Sequence, residues 1–226
     1  IEIMTNLGGG VMLRGGNPTI ADCVFINNWA EFGAGVYIRE AGNPKFARCL
    51  FEKNLALSAG SGLRCRVVVL AEISDCVFRN NEAMLGAIGV GDIGLARIER
   101  CTVSSNLGGG IQIQTSGFEI IDCIVAENHA DVGGGIIIGQ QSGSRPCRIV
   151  RTRVRDNSSW LFAGGLAVSG QCEFIDCEFI RNETEQLGGA VLAQGETSFV
   201  NCVFSSNSAG LGGGIYGSAI LTTTNW

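Results

Sequence analysis

Three acidic residues in the middle of the chain are the side chains best placed to do chemistry. Glu127, Asp131 and Asp156 lie in two successive copies of a repeating pattern, so a fold that stacks those copies could bring their carboxylates together. Two or three carboxylates on one exposed face are what a polysaccharide lyase or hydrolase needs for acid and base catalysis. Their spacing is not specific to such an enzyme, and the sequence therefore predicts no catalytic residue.

Ten cysteines and a single histidine, His129, are the other groups that could react or bind a metal ion. No Cys-x-x-Cys pair is present, so we predict neither a metal site nor a cofactor. Cys147 and Cys172 each lie five residues before a position of the main cysteine column described below. Stacked positions would be about 4.8 Å apart, which suggests a disulfide between these two. The other eight cysteines are interpreted as small buried apolar side chains.

A repeat of roughly 25 residues positions all of these groups. Its main column is cysteine in seven of eight copies, and an asparagine follows five residues later in each of them. Phenylalanine or valine stands two residues after the cysteine position, isoleucine or phenylalanine three residues before it, and a glycine-rich corner follows the asparagine. The asparagine column is Asn28, Asn54, Asn81, Asn106, Asn128, Asn157, Asn182 and Asn207.

The spacing within one copy predicts three short strands. Apolar residues alternate after the glycines, which is the pattern of a strand, and 34 glycines in 226 residues argue against helices. The isoleucine and cysteine columns are three apart, so the chain must bend between them if both face one core. Stacked coils of this kind form an all-β parallel β-helix of about nine rungs, in which the asparagines form a hydrogen-bonded ladder.

Composition limits the other possibilities. The repeat continues through the chain, so residues 1–226 are expected to form one domain. The net charge is −5 without a basic patch, which disfavours nucleic acid as a partner. No apolar stretch reaches the length of a membrane span. Residues 1–10 match 101–110, and the last residue falls just before a new repeat. We therefore expect either a slice of a longer β-helix or head-to-tail self-association.

Two surface features stand out. Trp160, Leu161 and Phe162 lie in an expanded corner and are the binding candidates, although they could equally tuck over the core. The residue before each cysteine position alternates in charge from copy to copy, which favours ion pairs between rungs over catalysis. These residues are Asp22, Arg48, Asp75, Arg100, Asp122, Arg151 and Asp176, with Asn201 in the last copy.

Two motifs carry a resemblance to a known family. Phe-x-x-Asn occurs at 25–28, 51–54, 78–81, 179–182 and 204–207, and Gly-Gly precedes Ile or Ala-Val at 109–111, 134–136 and 188–191. This pairing resembles the repeat of the chlamydial polymorphic outer membrane proteins and related bacterial surface β-helices. The resemblance implies a right-handed parallel β-helix that is secreted or exposed at the cell surface, with a role in adhesion or a surface layer.

Two classes of function follow from this. The first is a non-enzymatic extracellular or cell-surface module that acts as an adhesin, a stalk or a filament subunit, with a host surface or a glycan as its ligand. The second is a polysaccharide lyase or glycoside hydrolase, since such enzymes also use this fold. The missing catalytic constellation favours the first class, because a fold by itself does not specify an activity.

Overall fold

The computed structural model describes residues 6–115, 117–139, 147–217 and 221–224, and it forms a β-helix of 31 short strands without a helix in those residues. Every strand pairs in parallel with its equivalent in the coil above or below. Three long sheets of nine, nine and eight strands run along the axis. The all-β parallel β-helix with three strands per coil is confirmed.

The first sheet follows the glycine corners. Its strands are β1 (Val11–Arg14), β5 (Val36–Arg39), β9 (Leu63–Arg66), β12 (Ile88–Ile93), β15 (Ile111–Thr115), β19 (Ile136–Ile138), β23 (Leu166–Ser169), β27 (Val191–Gln194) and β30 (Ile215–Gly217). The second sheet carries the isoleucine column. Its strands are β2 (Thr19–Ala21), β6 (Lys45–Ala47), β10 (Leu70–Ser74), β13 (Leu95–Glu99), β16 (Phe118–Ile121), β20 (Cys147–Val150), β24 (Cys172–Ile175), β28 (Thr197–Val200) and β31 (Leu221–Thr224).

The third sheet carries the phenylalanine column. Its strands are β3 (Val24–Ile26), β7 (Leu50–Glu52), β11 (Val77–Arg79), β14 (Thr102–Ser104), β17 (Ile124–Ala126), β21 (Arg153–Arg155), β25 (Glu178–Ile180) and β29 (Val203–Ser205). Five coils add a fourth strand that the sequence did not predict, between the asparagine and the glycines. These strands are β4 (Trp29–Phe32), β8 (Leu55–Ala59), β18 (His129–Val132), β22 (Ser158–Phe162) and β26 (Glu183–Thr184).

The strands pair in the register that the sequence columns predict. Phe25 pairs with Phe51 and Phe51 with Phe78, while Ile20 pairs with Phe46 one sheet away. The rings of Phe25, Phe51 and Phe78 stack with centroids 5.0 and 4.5 Å apart. Because each inward column is apolar, stacking the coils buries one continuous core along the axis.

Two bends in each coil are made by residues other than glycine. The predicted bend between the isoleucine and cysteine columns lies at the charged column that alternates in sign, where φ is between 44° and 55°. A second left-handed bend directly precedes the asparagine, with φ between 50° and 57°. The second set of residues is Asn27, Lys53, Asn80, Ser105, Glu127, Asp156, Arg181 and Ser206. None of these residues is β-branched, in keeping with the steric cost of that conformation.

The asparagine ladder is present. Each Nδ2 donates to the Oδ1 of the asparagine in the next coil, at 2.8 to 3.1 Å, from Asn28 to Asn207. Asn128 is fully buried, and its Nδ2 also donates to the carbonyl oxygen of Val103 at 3.0 Å. Its Oδ1 accepts from both the backbone N–H and the Nδ2 of Asn106. Both amide protons and both lone pairs of Asn128 are thus satisfied without water.

The cysteine column packs as predicted for small apolar residues. Its members are buried except for Cys23, which is half-buried, and the thiols of Cys49, Cys76 and Cys101 lie within hydrogen-bond distance of the carbonyl oxygen two residues earlier. Thr152 occupies the same position in the sixth copy and makes the same contact. Burial raises the pKa of the Cys65 thiol to about 12, which makes it unreactive near neutral pH.

The suggested disulfide between Cys147 and Cys172 is not present in the structure, where both residues are buried and carry thiols. They lie on the paired strands β20 and β24, and each stands one residue before the first pair of that register, Arg148 with Glu173. Side chains at equivalent positions of parallel strands point the same way, so their Cβ atoms stay about as far apart as the strands, about 4.8 Å. A disulfide needs about 3.5–4.5 Å between Cβ atoms, so the bond would require the coils to approach each other.

Candidate binding face

The segments between the ladder asparagines and the glycine corners form one continuous strip along the axis, which we call the corner face. It consists of residues 29–32, 55–59, 82–85, 107, 129–132, 158–162, 183–187 and 208–211. Parallel bridges join successive segments, for example Leu55 with Glu82 and Leu107 with His129. The corner face is therefore a fourth side of the β-helix.

The local sequence decides which side chains of the corner face are exposed. The second residue after the ladder asparagine is small and buried, as in Ala30, Ala56 and Ala83. In later coils Ser159 takes this position and is within 2.9 Å of the Thr184 hydroxyl. Each segment of the corner face lies between two changes of chain direction. One is the left-handed bend before the asparagine, and the other is the residue with positive φ, usually glycine, after the segment. The residues on either side of the small residue are exposed in most coils, and Glu31, His129 and Ser158 are half-buried.

The predicted binding residues lie on this face. Trp160 is 56 % and Leu161 42 % exposed, so neither tucks over the core. Phe162 is half-buried and pairs with Val132 on one side and Leu187 on the other. The Trp160 ring stands edge-on to His129, with centroids 5.2 Å apart. The binding role of these residues stays a prediction, but their accessibility is consistent with it.

Most of the other large apolar side chains that are exposed also lie on the corner face, which the sequence analysis missed. They are Trp29, Leu55, Leu57, Met84, Leu85, Leu107 and Leu211. The signal was present in the sequence, because Trp29, Leu55 and Leu107 each directly follow a ladder asparagine. The residue at that position is exposed in six of the eight coils and half-buried at His129 and Ser158.

Of the three carboxylates considered for catalysis, those of Asp156 and Glu127 both lie close to Nη1 of Arg155, and Asp131 belongs to a separate strand. Arg181 binds both oxygens of Asp156, at 2.6 and 2.9 Å, and Arg155 lies 2.6 Å from the same carboxylate. These contacts, chiefly the hydrogen bond from Arg181, hold the pKa of Asp156 below its ordinary value. Glu127 accepts a hydrogen bond from the Ser105 hydroxyl at 3.2 Å and lies 3.9 Å from Arg155, while Asp131 belongs to the corner face.

The charged column is paired across coils as predicted. Arg48 binds both oxygens of Asp22 at 2.7 Å, and the pairs of Arg100 with Asp75 and of Arg151 with Asp122 repeat this bidentate geometry. The guanidinium of Arg151 lowers the pKa of the Asp122 carboxyl, and the other two pairs behave alike. These pairs align neighbouring coils, and each contributes little to stability because it is exposed to solvent.

A shallow groove of about 300 Å³ lies beside this column in coils five to seven. Asp122, Ile124, Arg151, Arg153, Asp176 and Glu178 line it, with the backbone around Cys123. Most of the charged side chains in this groove form ion pairs with each other, since Arg151 binds Asp122 and Arg153 binds Glu178 at 3.0 Å. In the part of the chain that the structure describes, no group of histidine, cysteine and acidic side chains is arranged to hold a metal ion.

Comparison with known families agrees with this architecture. A family model described as a right-handed β-helix region matches residues 2–91 and 71–225. The chain belongs to the right-handed β-helix family. Neither a curated protein nor a solved structure matches the chain. The ranges described contain no helix of the length and hydrophobicity that crossing a bilayer requires.

Proposed function

We propose that this chain is a non-enzymatic β-helix module of the cell surface or the extracellular space, and that it binds a partner through the corner face. The observation that carries this proposal is the concentration of exposed apolar side chains, including Trp29 and Trp160, on that face. Monomeric proteins rarely expose a contiguous apolar strip unless it contacts something. The resemblance to the chlamydial surface repeat supports the proposed location and an adhesive role.

The arrangement of the carboxylates favours a binding module over a polysaccharide lyase or hydrolase. A glycosidase needs a carboxylic acid that keeps its proton near neutral pH beside a second, ionised carboxylate. The arginines around Asp156 act in the opposite direction, because they stabilise its ionised form. In the strand faces, carboxylates such as Glu119 and Glu173 are likewise held by arginines of neighbouring coils.

An adhesion assay tests this proposal. Beads coated with the chain are counted on cultured host-cell monolayers beside beads coated with the double variant Trp29→Ser, Trp160→Ser. The matched control, Met12→Ser with Val203→Ser, removes two exposed apolar side chains from strand faces instead. We expect the first variant to fall to the level of albumin-coated beads and the control to bind like the original chain. Equal loss in both variants would contradict a role of the corner face.

The enzymatic alternative is tested with the same preparations. The chain is incubated with a panel of pectins and other glycans, and released reducing ends and unsaturated products are measured. We expect release at the level of buffer alone. Release that is abolished by Asp156→Asn would show that the chain is an enzyme and would overturn the proposal.

Head-to-tail self-association and a glycan ligand are further partners that fit the sequence, and both remain proposals. Negative-stain electron microscopy across a concentration series tests the first. Filaments with a subunit rise near 40 Å, the length of about nine coils, would favour assembly as the function. Short particles at every concentration would contradict head-to-tail assembly.

A further inference from the structure

The charges of the chain are segregated between the corner face and the rest of the molecule. The corner face contains five acidic residues and no lysine or arginine: Glu31, Glu82, Asp131, Glu183 and Glu185. Of the 21 acidic residues, 16 therefore lie elsewhere, which equals the number of lysines and arginines. The formal net charge of −5 thus corresponds to the corner face, while the rest of the chain is balanced.

These five carboxylates differ from most of the others in their contacts. Outside the corner face, only Asp176 and Glu196 lack an ion pair among the described residues, and each accepts a hydrogen bond from an amide side chain. On the sheets, acidic side chains bind arginine or lysine one coil away, as Glu72 binds Lys45 at 2.7 Å and Glu173 binds Arg148 at 2.8 Å. None of the five forms an ion pair within the described residues. Four of them are exposed and Glu31 is half-buried. The basic residues nearest to the corner face in sequence, Lys53 and Arg181, stand at the bend before the asparagine, and Arg181 binds Asp156.

The apolar side chains lie between these charges along the axis. Trp29 belongs to the first described coil with a ladder asparagine and Trp160 to the sixth, so about 24 Å separates them at about 4.8 Å per coil. Glu82 and Asp131 fall in coils between the two tryptophans, and Glu183 and Glu185 follow in the next coil. The result is a long strip in which aromatic and aliphatic side chains alternate with unpaired negative charge.

We propose that the corner face binds a basic amphipathic segment of a partner protein, which lies along the β-helix axis. Lysine and arginine side chains of such a segment pair with the five carboxylates and contact the faces of Trp29 and Trp160. Its apolar side chains cover the exposed leucines and Met84. This inference rests on the proposed function, because it identifies the partner of the same face.

The same charges disfavour other occupants of this face. An acidic polysaccharide would meet five uncompensated carboxylates, and a second copy of the chain docked through the same face would place the two acidic strips against each other. A neutral glycan stacks on tryptophan but leaves the carboxylates without partners. Charge complementarity therefore selects a cationic polypeptide among the ligands that an aromatic strip can accept.

The test uses a fluorescent 18-residue peptide of leucine and lysine that forms an amphipathic helix, with a leucine and glutamate peptide as its counterpart. Binding to the whole chain is measured by fluorescence anisotropy at low and at physiological salt. We expect saturable binding of the lysine peptide that weakens with salt, and affinity at least about tenfold lower for the glutamate peptide.

Two charge variants with the same net charge separate this site from general attraction. The corner variant carries Glu31→Gln, Glu82→Gln, Asp131→Asn, Glu183→Gln and Glu185→Gln. The strand variant carries Glu40→Gln, Glu72→Gln, Glu119→Gln, Glu173→Gln and Glu178→Gln. We expect the corner variant to lose at least about tenfold in affinity for the lysine peptide and the strand variant less than about threefold. Circular dichroism checks that both variants are folded.

Each other outcome has a defined meaning. Equal loss in the two charge variants, or no binding of the lysine peptide up to about 100 μM, overturns the inference. Binding of a neutral oligosaccharide or of heparin that is lost in Trp29→Ser, Trp160→Ser also overturns it, but leaves the corner face as the binding face of the proposed function. Lysine-peptide binding unchanged in that tryptophan variant overturns the inference, whereas the proposed function fails only if the same variant keeps its adhesion in the bead assay.

Discussion

Removing one asparagine from the middle of the ladder should destabilise the chain far more than removing one from its end. In Asn128→Ala, the backbone N–H of Asn106 loses its acceptor at 3.1 Å, and one Nδ2 proton of Asn106 loses its acceptor at 2.8 Å. Asn106 is only 2 % exposed, so water does not replace these bonds. Each buried donor left unpaired costs about 1–3 kcal/mol, so we expect a loss of about 2–6 kcal/mol. Domains of ordinary stability have about 5–15 kcal/mol in total.

Asn28→Ala is the matched control. The Nδ2 of Asn28 donates to the Oδ1 of Asn54 at 2.9 Å, but that oxygen keeps a second bond, from the backbone N–H of Asn28 at 3.1 Å. Within the described residues no buried donor is left without an acceptor, and Asn28 is only half-buried. We therefore expect a loss of about 0.5–1.5 kcal/mol, the net contribution of one hydrogen bond.

The assay is equilibrium unfolding in guanidinium chloride, followed by far-ultraviolet circular dichroism and by tryptophan fluorescence. The two signals must coincide for a single free energy of unfolding to be defined, because solenoids can unfold in parts. If Asn128→Ala and Asn28→Ala lower the free energy of unfolding by amounts within about 0.5 kcal/mol of each other, the account of the ladder as a chain of obligate bonds is wrong.

Three further predictions concern the corners, the thiols and the ion pairs. A Cβ at Gly134 would overlap the carbonyl oxygen of Ser158. At Gly89 it would meet the Arg64 side chain, with Nη1 at 2.7 Å and Cδ at 2.9 Å, and the backbone no closer than 3.4 Å. Gly134→Ala should therefore lower the thermal midpoint by several degrees and Gly89→Ala by less, as measured by calorimetry. Ellman's reagent should find few reactive thiols in the native chain and ten in the denatured, unreduced chain, while eight would establish the disulfide suggested by the sequence. Because Arg181 lowers the pKa of Asp156, the stability from this pair is present above pH about 4 and is lost as the pH falls through the lowered pKa. Arg181→Gln should therefore make the free energy of unfolding less dependent on pH below about 4. An unchanged pH profile would contradict the contribution of this pair.

The sequence predicted the fold closely because contacts in a solenoid join equivalent positions of neighbouring copies. Aligning the copies therefore gives the strand register directly, as in the pairing of Phe25 with Phe51 and Phe51 with Phe78. The ladder and the pairing of Arg48 with Asp22 follow for the same reason. These contacts follow from the alignment of the copies, whatever path the chain takes between the aligned positions.

The candidate site was predicted only in part. The sequence singled out Trp160, Leu161 and Phe162 because they fill an expanded corner, but it missed Trp29, which lies in a corner of ordinary length. The fourth strands and the bend before each asparagine were also missed. The residues at that bend are of different types, such as Asn27, Glu127 and Arg181. They share only their polarity and the absence of β-branching, so their left-handed conformation has no distinct sequence motif.

The sequence by itself determined the β-helix, its register, the buried cysteine column and the asparagine ladder, because periodic positions in a stacked fold must meet their own repeats. Only the tertiary structure decided which residues face solvent, since the left-handed bends at Asn27 or Asp156 set the direction of the chain around each coil. It also decided that the sheet carboxylates are paired while those of the corner face are not. Exposure and pairing depend on the path of the coil, which the spacing of the columns does not encode.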